Sequence, residues 1–260
     1  MKKIFAILLI TILITSCKSD DDNNNSQNVS SSFSFGHYWD GTVVSSTDFN
    51  TIQYTNANGE ELSIEKLRYL ISDMTFTKAN GETIVIEDYN LVDLTNNENL
   101  IYSPNVEIPS GSYSNVSFTF GFDAEDNING AYTDLNATSW NVPNTPMLGS
   151  VGGYHYMQLE GKFIDNSSAE VGYAYHAIRA ADGSTTPPTV EETYIEVNLG
   201  SVTITNDVTS NIEKKIPAWF KNPHTWELTV LNNMLMPNFD AQLMMNANGQ
   251  NVFTLGDIIQ

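Results

Sequence analysis

Short runs of alternating apolar and small or polar residues recur along this chain, and they predict strands. Phe33, Phe35, His37 and Trp39 alternate with Ser34, Gly36 and Tyr38, and the run turns at Asp40-Gly41. Leu67 to Ile71 continues through Met74-Thr75-Phe76 to Asn80-Gly81, after which Thr83 to Ile86 alternates again. An Asn-Gly pair between two such runs is a hairpin signal. Val116 to Phe122, Tyr154 to Phe163, Val171 to Ile178 and Tyr194 to Ile204 extend the pattern. Helical signals are sparse. Ser63-Ile64-Glu65-Lys66 predicts one turn, and Ile216 to Lys221 another, with Pro217 in its first turn and Pro223 closing it. Together these predict an all-β, antiparallel, immunoglobulin-like β-sandwich with long loops and one or two short helical turns. The weakly periodic stretch from Asp123 to Ser150 reads as an ordered excursion across one end.

The amino end has a different pattern. Lys2 and Lys3 precede an apolar run from Ile4 to Ile14, too short for a permanent bilayer span and shaped like an export signal. Leu13-Ile14-Thr15-Ser16-Cys17 resembles a bacterial lipobox, which makes Cys17 the expected lipid-attachment site. As the single cysteine of the chain it leaves no intramolecular disulfide. Asp, Asn and Ser then dominate, and such a composition cannot offset the entropy of ordering. The expected division is a lipoprotein signal peptide at 1–16, a disordered tether at 17–32 and one domain at 33–260. Ser19-Asp20-Asp21-Asp22 resembles the acidic export tag of surface lipoproteins, so the expected location is the outer membrane, anchored by lipid and facing outward. The 11 Lys and Arg stand against 31 Asp and Glu, a net charge of −20. That balance excludes nucleic acid as a ligand and favours cations.

The chain has four histidines. Strand parity places His155 with Met157, Leu159 and Phe163 on an apolar face, and His176 with Ala174 and Ile178. His37 shares its face with Phe33, Phe35 and Trp39. Inward imidazoles on separate strands form a candidate copper or zinc site. If the turn at Asp165 to Glu170 is a simple hairpin, His155 faces residue 180 and His176 faces residue 159. That offset is roughly 13 Å along the strands. A bulge or His37 would have to close it. Asp123-Ala124-Glu125-Asp126-Asn127-Ile128-Asn129-Gly130 partly resembles a calcium loop, but the closing glutamate is missing and an Asx-rich turn is the expected structure. No nucleophile elbow, phosphate loop, CxxC pair or HExxH helix is present, so the chain reads as a binding protein rather than an enzyme. Tyr154, Tyr156, Tyr173 and Tyr175 alternate on the other faces of their strands, which gives a second reading: a glycan- or protein-binding module with exposed aromatics.

Several motifs carry a family resemblance. They are Leu67-Arg68-Tyr69-Leu70-Ile71-Ser72-Asp73, Tyr89-Asn90-Leu91-Val92-Asp93, and Ile108-Pro109-Ser110-Gly111-Ser112-Tyr113 with Phe118 to Asp123. The segment Gly153 to Phe163 and the pair Tyr175-His176 complete them. In this order they resemble the MbnP-like proteins, which accompany methanobactin genes. The resemblance implies a secreted β-sandwich that holds copper as Cu(I) through two histidines. It also implies a nearby tryptophan oxidised to kynurenine by a dihaem peroxidase-like partner. His37 matches the family's amino-terminal histidine and His176 the later one, while His155 lies inside the Gly-Tyr…Glu-Gly motif. Met147 is followed by Leu148-Gly149-Ser150-Val151, without the tryptophans usual in the family, which leaves Trp39 and Trp140 as the candidate aromatics. The expected ligand set is therefore His37, His155 and His176.

Overall fold

The computed structural model describes residues 26–260. The signal peptide, Cys17 and the first part of the tether lie outside the described residues. Nine longer strands run in the order β1 (Asn28–Trp39), β2 (Lys66–Lys78), β3 (Thr83–Asp93), β4 (Gly111–Phe120) and β5 (Met157–Ile164), then β6 (Glu170–Ala177), β7 (Ile195–Ile204), β8 (Val208–Lys215) and β9 (Phe253–Ile259). The fold is mostly β, in two packed sheets, as the alternation predicts. In the larger sheet β2 is central. It holds β3 along one edge, and β4 and β5 share the other; β6 adds to β5 and β7 to β4. In the smaller sheet β8 lies between β1 and β9. The β1–β8 pair is parallel, a departure from an all-antiparallel sandwich.

The first strand starts earlier than the tether boundary implies. Asn28 to Ser32 already pair with Glu107–Pro109 and with Val208–Thr209, and Val29 and Ser31 are buried. Small polar side chains do not prevent a strand once backbone partners stand on both edges. Ser63 to Lys66 is extended and not helical, because its Ser63 and Glu65 amides donate to the Lys162 and Glu160 carbonyls beside it at 2.8 Å. The turn at Ile216–Phe220 is helical as expected. The helix α2 (Phe239–Gly249), preceded in the chain by α1 (Thr133–Ala137), has little amphipathic pattern and is not predicted by the periodicity; Asn238 caps it by accepting from the Ala241 amide at 3.1 Å.

The main core lies between the sheets and is rich in aromatic residues. The outer face of the larger sheet is covered as well. There the 123–150 excursion, which contains α1, packs Leu135 and Trp140 on Leu70, Phe122 and Tyr154. Tyr69 and Ile71 point into the main core while Leu70 points into the smaller one, so β2 is apolar on both faces. This double cover buries all four tyrosines of the proposed aromatic platform. Tyr154, Tyr156 and Tyr175 are fully buried and Tyr173 nearly so. The Tyr173 and Tyr175 hydroxyls donate to the Ser63 and Trp219 carbonyls at 2.8 and 3.1 Å, which satisfies the one polar atom each ring carries. The exposed-aromatic reading is overturned.

Candidate metal centre

On the outer face of the larger sheet, three strands line up polar side chains in rows. Arg68 of β2 pairs with Gln158 of β5, which pairs with His176 of β6; the next row is Lys66, Glu160 and Ala174. His176 is therefore on the outer face, and not inward as parity suggested. The alternation was right but the side was wrong, because Tyr173, Tyr175 and Ala177 take the main core. The observed register, His176 opposite Gln158, is one residue from the expected hairpin.

His155 reaches the same place by leaving the strand pattern. Gly152 and Gly153 have positive φ, and a Cβ on either would collide with the Asn129 or Asn127 side chain. The chain emerges from this turn with Tyr156 and Met157 both in the main core, so the two-residue period fails at the start of β5. His155 is left facing outward with Tyr154. The carbonyl of Trp140 then fixes it twice, accepting from the His155 amide at 3.0 Å and from Nδ1 at 2.9 Å. The two rings that the hairpin register set far apart are T-shaped neighbours with centroids 5.2 Å apart. Trp140, fully buried, packs 5.6 Å from His155 and beneath the Arg68 guanidinium.

The hydrogen bonds settle which nitrogens are available. A carbonyl only accepts, so His155 carries its proton on Nδ1. Its Nε2 is buried and has no hydrogen-bond partner among the described residues. Burial, the neighbouring His176 and Arg68 lower its pKa to about 4, so Nε2 is a bare lone pair at neutral pH. His176 Nε2 lies 2.8 Å from Glu160 Oε1, which also accepts from Lys66 at 2.8 Å. These contacts, His176 first, hold the Glu160 carboxyl down at about 2, so it is an ionised acceptor. The carboxylate accepts from His176 Nε2, which leaves Nδ1 as the ring nitrogen that can face a ligand. Among the described residues each ring has one nitrogen oriented by an oxygen and the other without a hydrogen-bond partner, the arrangement that metal-binding histidines adopt. Sequence reading missed Arg68, Gln158 and Glu160, whose outward alternation was the available signal. It also missed Gln242 of α2, which ties the His176 carbonyl and the Ile178 amide at 2.9 Å each.

His37 does not join them. It is buried in the main core, on the other side of the larger sheet, where Nε2 shares a hydrogen bond with the Tyr69 hydroxyl at 3.1 Å. The three-histidine set is corrected to a pair. Among the described residues, no three His, Cys, Asp or Glu side chains are grouped as a metal cage. Trp39 packs against Tyr54 with centroids 4.7 Å apart, beside Phe220, so of the two candidate tryptophans Trp140 is the one packed at the pair. The Asp123 loop is an Asx turn, with Oδ1 accepting from the Glu125 and Asp126 amides.

Burial, with Lys214 adding to it, lowers the His37 pKa to about 3. The unfolded chain takes up protons on both buried rings below 6.5 that the folded chain refuses, so stability falls as pH drops from 6.5 toward these values. At pH 5 each ring is expected to cost about 2 kcal/mol, from about 1.4 kcal/mol per pH unit. Urea unfolding of the metal-free protein at pH 7 and pH 5 checks this; equal midpoints would contradict it.

The molecule is thus a two-sheet β domain with a paired-imidazole centre held under a long loop. The chain belongs to the MbnP family, whose model, described as MbnP, matches residues 27–238. A solved structure, MbnP from Methylosinus trichosporium, is similar at 13% identity and a TM-score of 0.47, covering 77% of this chain and 79% of that one. Among curated proteins, none matches this sequence at a significant level. The family is associated with methanobactin and copper.

Proposed function

We propose that this chain is a cell-envelope lipoprotein that binds copper as Cu(I) between His155 and His176, for uptake, storage or delivery. The observation that carries the reading is the lone pair on His155 Nε2, buried and, among the described residues, without a partner beside a second imidazole. An orphaned buried acceptor costs about 1–3 kcal/mol, and a cation is one way to satisfy it. The donor set discriminates among metals. Zinc takes four ligands in structural sites and at least three protein ligands in catalytic ones. Two imidazole donors suit Cu(I), which is stable at low coordination number. Cys17 would anchor the protein at the outer-membrane surface, the acidic charge would favour cation capture, and a dihaem peroxidase-like protein is the expected partner. The role is binding, without catalysis. Anaerobic Cu(I) titration of the mature protein against a chromophoric chelator is expected to show one tight equivalent per chain. No tight equivalent, or equal preference for Zn(II), would defeat the reading.

A further inference from the structure

Beside the histidine pair, an apolar groove of roughly 640 Å³ has His176 in its wall and is otherwise lined by Met147, Leu148, Met234, Met236 and Pro237 among others. Three of the chain's eight methionines meet there. Two of them face water, Met147 at 60% exposure and Met234 at 66%. Large apolar side chains gathered at one exposed place need a reason, whereas scattered ones do not.

The backbone holds them out. Met147 rides on the 3-10 turn Pro146–Leu148, opened by Pro146 and closed by Gly149 in the left-handed region. Met234 itself has φ +53, a conformation that costs a residue with a Cβ about 1–2 kcal/mol. Met236 packs against Val142, Leu148 and Ile178, which fixes the groove wall next to the end of β6. Exposure falls steadily inward, from these two methionines to the His176 side chain at 17% and His155 at 5%.

We propose that Met147, Met234 and Met236 form a thioether entry site that captures Cu(I) from outside and passes it to His176 and His155. This rests on the histidine pair being the copper centre. Thioethers are soft donors selective for Cu(I), and they carry no proton for the metal to displace. Weak sulfur ligands at the rim and imidazoles at depth make a path of rising affinity. Transfer is ligand exchange only, with no change in oxidation state.

The test uses mature protein carrying 13C-labelled methionine methyls, with Ag(I) as a redox-inert probe, and a Met147→Leu/Met234→Leu/Met236→Leu variant of nearly conserved volume. Ag(I) is expected to shift the methyl signals of these three residues, including in a His155→Ala/His176→Ala variant where the deeper site is gone. The leucine variant is expected to take Cu(I) from a chelate at least tenfold more slowly while its equilibrium affinity changes less than twofold. Unmoved methyls with an unchanged uptake rate would overturn the entry site and leave the histidine pair standing. Methyls that respond to an apolar peptide but not to Ag(I) would also overturn it. If the double histidine variant keeps wild-type Cu(I) affinity, the pair itself is wrong, whatever the methyls do.

Discussion

Alanine at both His155 and His176 is expected to weaken Cu(I) binding by about a thousandfold or more, with the fold intact. Losing a residue that merely orients a metal ligand lowers affinity about 10- to 100-fold, so losing both ligands must exceed that. A thousandfold corresponds to about 4 kcal/mol. The variant should fold because the site stands on the outer face of the larger sheet, apart from the main core, and removal of His155 also removes a buried orphan atom. Two controls sharpen the result. Glu160→Gln keeps an acceptor for His176 but loses the charge, and should fall within the 10- to 100-fold range. His37→Phe should leave affinity within a few fold, because its Nε2 is engaged with Tyr69 on the far side of the sheet. Competition titration with matched circular dichroism measures all of these. Loss of binding in the His37 variant alone would move the centre into the core.

Lys214→Met is expected to stabilise the protein by about 1–3 kcal/mol, the penalty of an unsatisfied buried polar group. Lys214 is fully buried opposite His37 in the β1–β8 register and has no carboxylate partner among the described residues. Among the described residues its Nζ meets the Met157 sulfur, at 3.6 Å, and the faces of Tyr69, Phe253, Phe120 and Trp219, at 3.8 to 5.2 Å. Two effects compete. A caged ammonium would gain from the rings about 2 kcal/mol for a desolvated contact, yet removing it from water costs several kcal/mol. Desolvation wins and drives the amine's pKa well below 10.5. The unfolded chain then binds a proton that the folded chain lacks, so wild-type stability rises with pH between the lowered folded value and 10.5. The methionine variant loses that component and should melt higher, by about 2–4 °C per kcal/mol. A lower melting temperature for the variant, with wild-type stability flat between pH 7 and 9, would mean that the rings hold a charged lysine.

Much of this molecule is readable from its residues alone. Alternation located most of the long strands, Asn80-Gly81 the β2–β3 hairpin, and weak periodicity the loop at 123–150. The Asp165 turn gave the β5–β6 register to within one residue, and ordered motifs gave the family. Local chemistry suffices there, because strand period and turn type depend on neighbours a few positions away. α2 escaped because the stripe it buries, Ala241, Gln242, Met245, Asn248 and Gly249, carries two amides and a glycine, so no apolar face marks it in the sequence; its contacts, through Gln242 to β6, are tertiary.

Which side of a strand is the core was beyond the sequence. Period two sorts residues into two sets but does not say which set meets the second sheet, and here both faces of the larger sheet are covered by apolar groups. Alternation therefore puts His176 on the wrong face and predicts four exposed tyrosines that the structure buries. The site itself depended on a break in the period: two consecutive residues, Tyr156 and Met157, enter the same core, and His155 is turned back beneath Trp140. The sequence alone determined a β-sandwich of this family with histidines to spare. Only tertiary packing decided that His155 and His176 meet while His37 is sealed behind the sheet, because whether rings touch depends on which faces lose water together.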